Sequence, residues 1–192
     1  MKKIGVLALQ GDFAAHGAAL ERAGAEPVMV READQLRDLD GLVIPGGEST
    51  TMLKLLRFEN LFEPLVEFGR RKPMFGTCAG AILMANEVSR PQQDSLGLMD
   101  IGVERNAYGR QVDSRVAELD PDGEFSHRTA PGKLEAVFIR APIIRRVGDD
   151  AKVLARYQGD PVLVEQGRHL VATFHPELTA DSRIHRFFLE KV

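Results

Sequence analysis

A chain of 192 residues is long enough for one domain with a sizeable core and barely long enough for two. Its 44% hydrophobic and 28% charged content is ordinary for a globular protein, and a formal charge of −3 gives no footprint for nucleic acid or an acidic membrane surface. The single cysteine excludes an internal disulfide and any CxxC metal site, and no apolar run reaches membrane-spanning length.

The opening Met1-Lys2-Lys3 and the run Ile4 to Leu9 imitate a signal peptide. The run is too short, and Gln10-Gly11-Asp12 stands where small cleavage-site residues belong, so a first buried strand is expected in a soluble intracellular protein. A turn at Gln10-Gly11 and a helix capped by Asp12 follow, with Phe13, Gly17 and Leu20 on one face and Gly24 just past its end. Strands are expected at Pro27 to Val30, Gly41 to Ile44 and Pro73 to Gly76, with helices at Thr50 to Arg57 and Leu61 to Arg71 and another beginning over Ala79 to Ala85. Unbroken apolar strands alternating with helices predict a mostly parallel sheet covered on both faces.

The second half reads differently. Ile101 to Glu104, Val112 to Leu119, Leu134 to Arg140, Val153 to Tyr157, Val162 to Gln166 and Leu170 to Phe174 predict strands with little helix between them, hence an antiparallel extension of the sheet. The polar, turn-rich segment from Asp120 to Lys133 reads as an exposed loop, and a closing helix starts at Ser182 with Ile184, Phe187 and Phe188 as its apolar stripe. The expected architecture is a three-layer α/β fold of the flavodoxin-like kind, as one domain over residues 1–192.

The lone cysteine sits in Gly76-Thr77-Cys78-Ala79-Gly80, the thiol counterpart of the G-x-S-x-G nucleophile elbow. A sharp strand-to-helix turn pushes the central side chain outward, tolerates only small neighbours, and aims unpaired helix N–H groups at the same space. Free cysteine titrates near about 8.5, and a helix N-terminus contributes ~0.3–1 kcal/mol, less than the roughly 1.4 kcal/mol of one pKa unit. Activation of Cys78 therefore requires a nearby base; a buried structural cysteine is the alternative that partner residues must decide against.

Phe174-His175-Pro176-Glu177 supplies a candidate base at the end of an apolar run. Pro176 biases His175 towards an extended conformation, in which residues two apart share a side, so Glu177 approaches the imidazole and selects its tautomer. His16, His127, His169 and His185 read as surface or packing residues. The turn Pro45-Gly46-Gly47-Glu48-Ser49-Thr50 also ends a strand and opens a helix. Its N–H groups suit an anion or developing oxyanion; a tight turn capped by Ser49 is the plainer reading, and a phosphate loop lacks its lysine.

With these motifs in hand, IGVLALQGDFAAH, DGLVIPGGESTTM, PMFGTCAGAILMA, VERNAYGRQVDS, VFIRAP and FHPEL resemble, in order and spacing, a class I (triad) glutamine amidotransferase. LQG, RNAYGRQVDS and FIRAP are more particular, resembling the glutaminase subunit of the two-subunit pyridoxal 5′-phosphate synthase. The resemblance implies Cys78 as nucleophile, His175 as general base and acid, and Glu177 as its orienter. It implies L-glutamine held by Gly47, Glu48, Ser49, Arg105, Ile139 and Arg140, and oxyanion donors at Gly47 and Ala79. It further implies no cofactor or metal, a cytoplasmic location, and a synthase partner that receives the ammonia and stimulates the reaction around Gly46-Gly47. The glutaminase of another pathway, such as imidazole glycerol phosphate synthase, and a redox sensor or chaperone-like relative with the same sheet and a reactive elbow cysteine are the rival readings.

Overall fold

Strict alternation in a strand covered on both faces sends neighbouring side chains into different cores, and the opening run does this. In β1 (Lys3–Leu7), Ile4 and Val6 enter one core while Leu7 enters the other. The computed structural model describes residues 1–106 and 114–192. After β1 come α1 (Phe13–Arg22), β2 (Glu26–Val30), β3 (Gly41–Ile44), α2 (Ser49–Phe58), α3 (Phe62–Arg71), β4 (Met74–Thr77) and α4 (Ala79–Met84). The chain continues through β5 (Ala85–Ser89), β6 (Met99–Glu104), β7 (Ser114–Leu119), α5 (Gly123–Arg128), β8 (Leu134–Ile139) and β9 (Ile143–Val147). It ends with β10 (Lys152–Tyr157), β11 (Asp160–Gln166), β12 (His169–Ala172) and α6 (Arg183–Glu190).

The central seven-stranded sheet has the order β10-β11-β12-β4-β3-β1-β2. From β12 to β2 every pairing is parallel, whereas β10 and β11 add on antiparallel. One core joins Ile4, Val6, Val43 and Phe75 to Leu20 of α1 and to Ile184, Phe187 and Phe188 of α6. The other joins Leu7, Leu42, Ile44 and Met74 to residues of α2, α3 and α4. This is the three-layer arrangement expected, with the antiparallel extension at one edge.

Because β1 pairs with β2 on one side and β3 on the other, the strand order reverses beside β1. Loops leaving the carboxyl ends of β1 and β3 diverge there and open a crevice, the usual ligand position in such sheets. The carboxyl ends of β4 and β12 lie alongside, because both strands run parallel to β3.

Several expectations need correcting. Strands β6, β7, β8 and β9 stay out of the central sheet: β5-β6-β9 form a small sheet and β7-β8 a separate two-stranded antiparallel sheet. Strands β5 and β9 were not expected; α4 stops at Met84, and the chain turns directly into β5 with no capping residue to signal it. Val112, assigned to the strand before Leu119, lies outside the described residues.

The segment from Asp120 to Lys133 is not simply an exposed loop. Asp122 caps α5 by accepting from the Glu124 N–H at 2.7 Å, and Phe125 is fully buried against Phe187 with ring centroids 5.0 Å apart. One apolar residue in a polar stretch is too little to show a helical period, yet it anchors the turn once α6 offers a partner.

Candidate active site

The turn from β4 into α4 places Cys78 at φ 49° and ψ −106°, a backbone conformation that suits glycine. A non-glycine residue held there stores about 1–3 kcal/mol of strain. Neighbouring bonds impose it: the Cys78 N–H donates to the Ala172 carbonyl at 2.9 Å, and its carbonyl accepts from Ala81 and Ile82 at 3.1 and 3.3 Å. The small flanking residues follow from crowding, since a β-carbon on Gly80 would fall 2.1 Å from the Ile44 carbonyl oxygen. The thiol is directed towards the Ile139 carbonyl, 3.9 Å away, at the floor of a cleft of about 530 Å³.

His175 enters from the end of β12, its N–H held by the Val137 carbonyl at 2.8 Å. Its Nδ1 is 2.6 Å from Glu177 Oε1, and the Cys78 thiol is its other side-chain partner. Both ring and carboxylate are buried. The contact forms differently from expectation. At φ −109° and ψ 84° His175 leaves the strand, and a 3₁₀ turn over Pro176–Leu178 folds Glu177 back onto the ring. Proline at the first position of that turn fits because the missing N–H is one the turn does not use.

Burial alone disfavours a charged imidazole. Hydrogen bonds and charge from Cys78 and Glu177 outweigh that cost, so the pKa of His175 is pushed up to about 10. The ring is thus poised to give a proton to a leaving group.

Gly47, Glu48, Ser49, Arg105, Ile139 and Arg140 all line the cleft that holds Cys78 and His175. Ala79 does not, among the described residues; it is buried at the first helical position, where only a backbone N–H faces outward from the helix end. The cap of α2 is Glu48 rather than Ser49, accepting from the N–H groups of Thr50 and Thr51 at 3.0 and 2.7 Å. Its burial cost is outweighed by these bonds and by the Thr51 hydroxyl, which bring its pKa down to about 2. Ser49 instead donates to Gln93 Oε1 at 3.2 Å. Arg105 donates to Thr50 Oγ1 at 2.6 Å and lies 3.6 Å from Glu48 Oε1, which fixes a planar cation at the cleft wall.

Sequence reasoning missed other members of this surface. Gln10 accepts from the Glu48 N–H at 2.9 Å, tying the end of β1 to the glycine turn after β3, and Asn106 lines the same cleft. Asp12 makes no side-chain cap bond to α1; its Oδ2 lies 3.7 Å from His175 Nδ1. Gln10 stood in the LQG motif but without a role, and Asn106 had no signal beyond its motif. Behind the triad, His16 is fully buried, with Nε2 2.9 Å from Thr77 Oγ1 and 3.4 Å from Glu177 Oε2 and Nδ1 3.1 Å from His185 Nε2.

Asp12, His175 and Glu177 bring three possible ligand atoms within 4.8 Å of one another, the one such group among the described residues. The 2.6 Å bond from His175 Nδ1 to Glu177 already pairs two of those side chains. The residues therefore fit a hydrogen-bonded dyad better than a metal cage.

Burial holds His16 well below the usual histidine range and brings His185 down to about 4. Both stay neutral when folded and take up protons first when unfolded. Their contribution to stability is complete above about pH 6.5 and drains as pH falls towards 4, at roughly 1.4 kcal/mol per pH unit for each. Urea midpoints measured between pH 7 and 5 are expected to fall steeply, and His185→Gln to remove roughly a third of that slope, because His169, also brought down to about 4 by burial, adds to it.

A thiol presented to a carboxylate-bound imidazole is suited to acyl transfer through a thioester, so the fold and the cleft together describe a cysteine-triad acyl-transfer enzyme. The chain belongs to the SNO glutamine amidotransferase family, whose model matches residues 6–192. It is 71% identical over 192 residues to the pyridoxal 5′-phosphate synthase subunit PdxT of Solibacter usitatus, covering 100% of both chains. It is 56% identical over 191 residues to the subunit of the same name from Koribacter versatilis, covering 99% of this chain and 95% of that one. A crystal structure of a glutamine amidotransferase superposes with a TM-score of 0.88 at 47% identity, over 98% of this chain and 97% of the other.

Proposed function

We propose that this chain is the glutaminase subunit of a pyridoxal 5′-phosphate synthase and hydrolyses L-glutamine with Cys78, His175 and Glu177. In this reading residues 1–192 form a single amidotransferase domain. The Cys78 thiolate attacks the side-chain amide of glutamine, and the carbonyl oxygen becomes an oxyanion facing the N–H groups of Gly47 and Ala79. The His175 imidazolium protonates departing ammonia, leaving a thioester on Cys78. A water that gives its proton to the same ring then attacks the thioester, releasing glutamate and restoring the thiol. Glu177 holds the ring in one tautomer through both steps. Arg105 and Arg140 suit the α-carboxylate, and Glu48, ionised at every working pH, suits the α-ammonium group.

The observation that carries this reading is the meeting of a strained elbow cysteine with a histidine bound to Glu177 at 2.6 Å, within the cleft where the other glutamine residues converge. The freed ammonia passes to the synthase subunit, which combines it with a pentose phosphate and a triose phosphate. The relatives at 71% and 56% identity carry the name of that synthase, which weighs against another pathway's glutaminase and against a redox sensor. A cytoplasmic location belongs to the same proposal, because an unpaired thiol nucleophile persists where thiols remain reduced. Among the described residues no helix is long and apolar enough to cross a membrane.

The test is glutamate release from glutamine with and without the synthase subunit. Adding the partner is expected to raise turnover by about 10²-fold, the worth of one oxyanion donor brought into place near Gly46-Gly47. Glutamine left intact in the presence of the partner would remove the proposal.

A further inference from the structure

We propose that His16 is a positioning residue for the triad: held by His185 with its proton on Nε2, it directs that N–H at Thr77 and at the second oxygen of Glu177. The role rests on the glutaminase reading; the hydrogen-bond chain beneath it stands on geometry alone.

His16 comes from α1, remote in sequence from both the elbow and the strand-end histidine, and its ring lies between them. Its Nε2 faces two oxygens, Thr77 Oγ1 at 2.9 Å and Glu177 Oε2 at 3.4 Å. Glu177 Oε2 is buried with no hydrogen-bond partner, and His16 Nε2 is the polar atom that faces it; its companion Oε1 is taken by His175. On the other side His16 Nδ1 meets His185 Nε2 at 3.1 Å, and His185 Nδ1 is buried without a partner.

The proton positions follow by elimination. If His16 carried its proton on Nδ1 and gave it to His185 Nε2, the neutral His185 would need its own proton on Nδ1. That would leave a buried N–H with nothing to bond, and it would set the His16 Nε2 lone pair against the carboxylate of Glu177. With both rings protonated on Nε2, His185 donates to His16 and His16 donates towards Thr77 and Glu177. The only unpaired atom on the rings is then a lone pair on His185 Nδ1, the milder defect. A doubly protonated His16 is disfavoured by complete burial and by the positive charge of nearby His175. The other titratable groups facing this chain are Arg22, near His185, and Asp12, near His175.

One N–H thus reaches both halves of the catalytic machinery. Thr77 immediately precedes the nucleophile, and Glu177 orients the base. By holding the otherwise unpartnered oxygen, His16 stops the carboxylate from rotating away from His175 and ties its position to the end of β4.

Ring-nitrogen NMR of the full chain at neutral pH is expected to show His16 and His185 neutral and protonated on Nε2. A proton on His16 Nδ1, or an imidazolium at His16, would overturn the assignment without any variant being made. Kinetics with the synthase subunit present then test the role. His16→Leu is expected to lower kcat by about 10- to 100-fold with KM changed less than about threefold, and His16→Gln, whose amide N–H reaches the same place, to restore kcat to within about threefold. In a Glu177→Gln background the leucine change is expected to cost less than about threefold more, because the carboxylate it serves is already gone. Equal losses in both backgrounds, or a wild-type kcat for His16→Leu, would overturn the positioning role alone. Absence of turnover in the unmodified pair would instead defeat the proposed function, leaving the tautomers to decide the hydrogen-bond chain.

Discussion

Replacing Cys78 with alanine is expected to lower glutamate release from glutamine by about 10⁴-fold or more, with the fold intact, because no other group in the cleft can form the thioester. The measurement is single-turnover glutamine hydrolysis with the synthase subunit present. The same position offers a test of strain that is independent of catalysis. At φ 49° and ψ −106° alanine keeps the β-carbon that makes this conformation costly, whereas glycine does not. Cys78→Gly is therefore expected to be more stable than Cys78→Ala by about 1 kcal/mol in urea unfolding, although equally inactive. A glycine variant less stable than the alanine one would mean that the elbow is not strained. Turnover in either variant would show that the nucleophile lies elsewhere.

Glu177→Gln is expected to lower kcat by about 10³- to 10⁴-fold while leaving KM nearly unchanged. An amide in place of the carboxylate offers Nδ1 of His175 a donor as readily as an acceptor, and it withdraws the charge that supports the imidazolium. The pH dependence separates this from simple misfolding. With burial opposing it, the support of Cys78 and Glu177 still carries His175 up to about 10, above the ordinary value of about 6.5. Its contribution to stability is complete below about pH 6.5 and is lost as pH rises through 10. Unfolding midpoints of the unmodified chain are thus expected to decline over that window, and the decline to shrink in Glu177→Gln as the folded pKa drops. An identical alkaline limb in both proteins would show that Glu177 does not support the ring.

These two limbs run opposite ways. His16, His169 and His185, kept neutral by burial, lose stability as pH falls below about 6.5, whereas His175, kept charged by its partners, loses it as pH rises. Four of the five histidines are buried, so composition alone would have misjudged how strongly this protein senses pH.

What could be read in advance depended on range. The strand Gly41–Ile44 was read with its observed bounds, and the elbow around Cys78 was legible because apolar runs, turn glycines and a helix start all act over a few residues. The second half was read less well. Whether a strand such as Ile143–Val147 pairs with β6 or with the main sheet depends on partners far along the chain, and Phe125 organises a short helix only because Phe187 is there to receive it.

The triad divides in the same way. Cys78, His175 and Glu177 stand out as candidates because each lies in a compact motif whose residue types suit one chemistry, and the family resemblance joins them. The extended backbone expected at His175-Pro176-Glu177 gave way to a 3₁₀ turn, since folding Glu177 under the ring buries its charge against a partner.

The sequence by itself determined the layered α/β class and singled out Cys78 and His175 as the proposed nucleophile and base, because local pattern and residue chemistry suffice for that. Only the tertiary structure decided that Gln10 supports the glycine turn, that Asp12 faces the His175 ring instead of capping a helix, and that His16 stands behind Glu177. His16 meets Thr77 across 61 residues and His185 across 169, and no local periodicity encodes contacts that arise only when two helices close over the same face of a sheet.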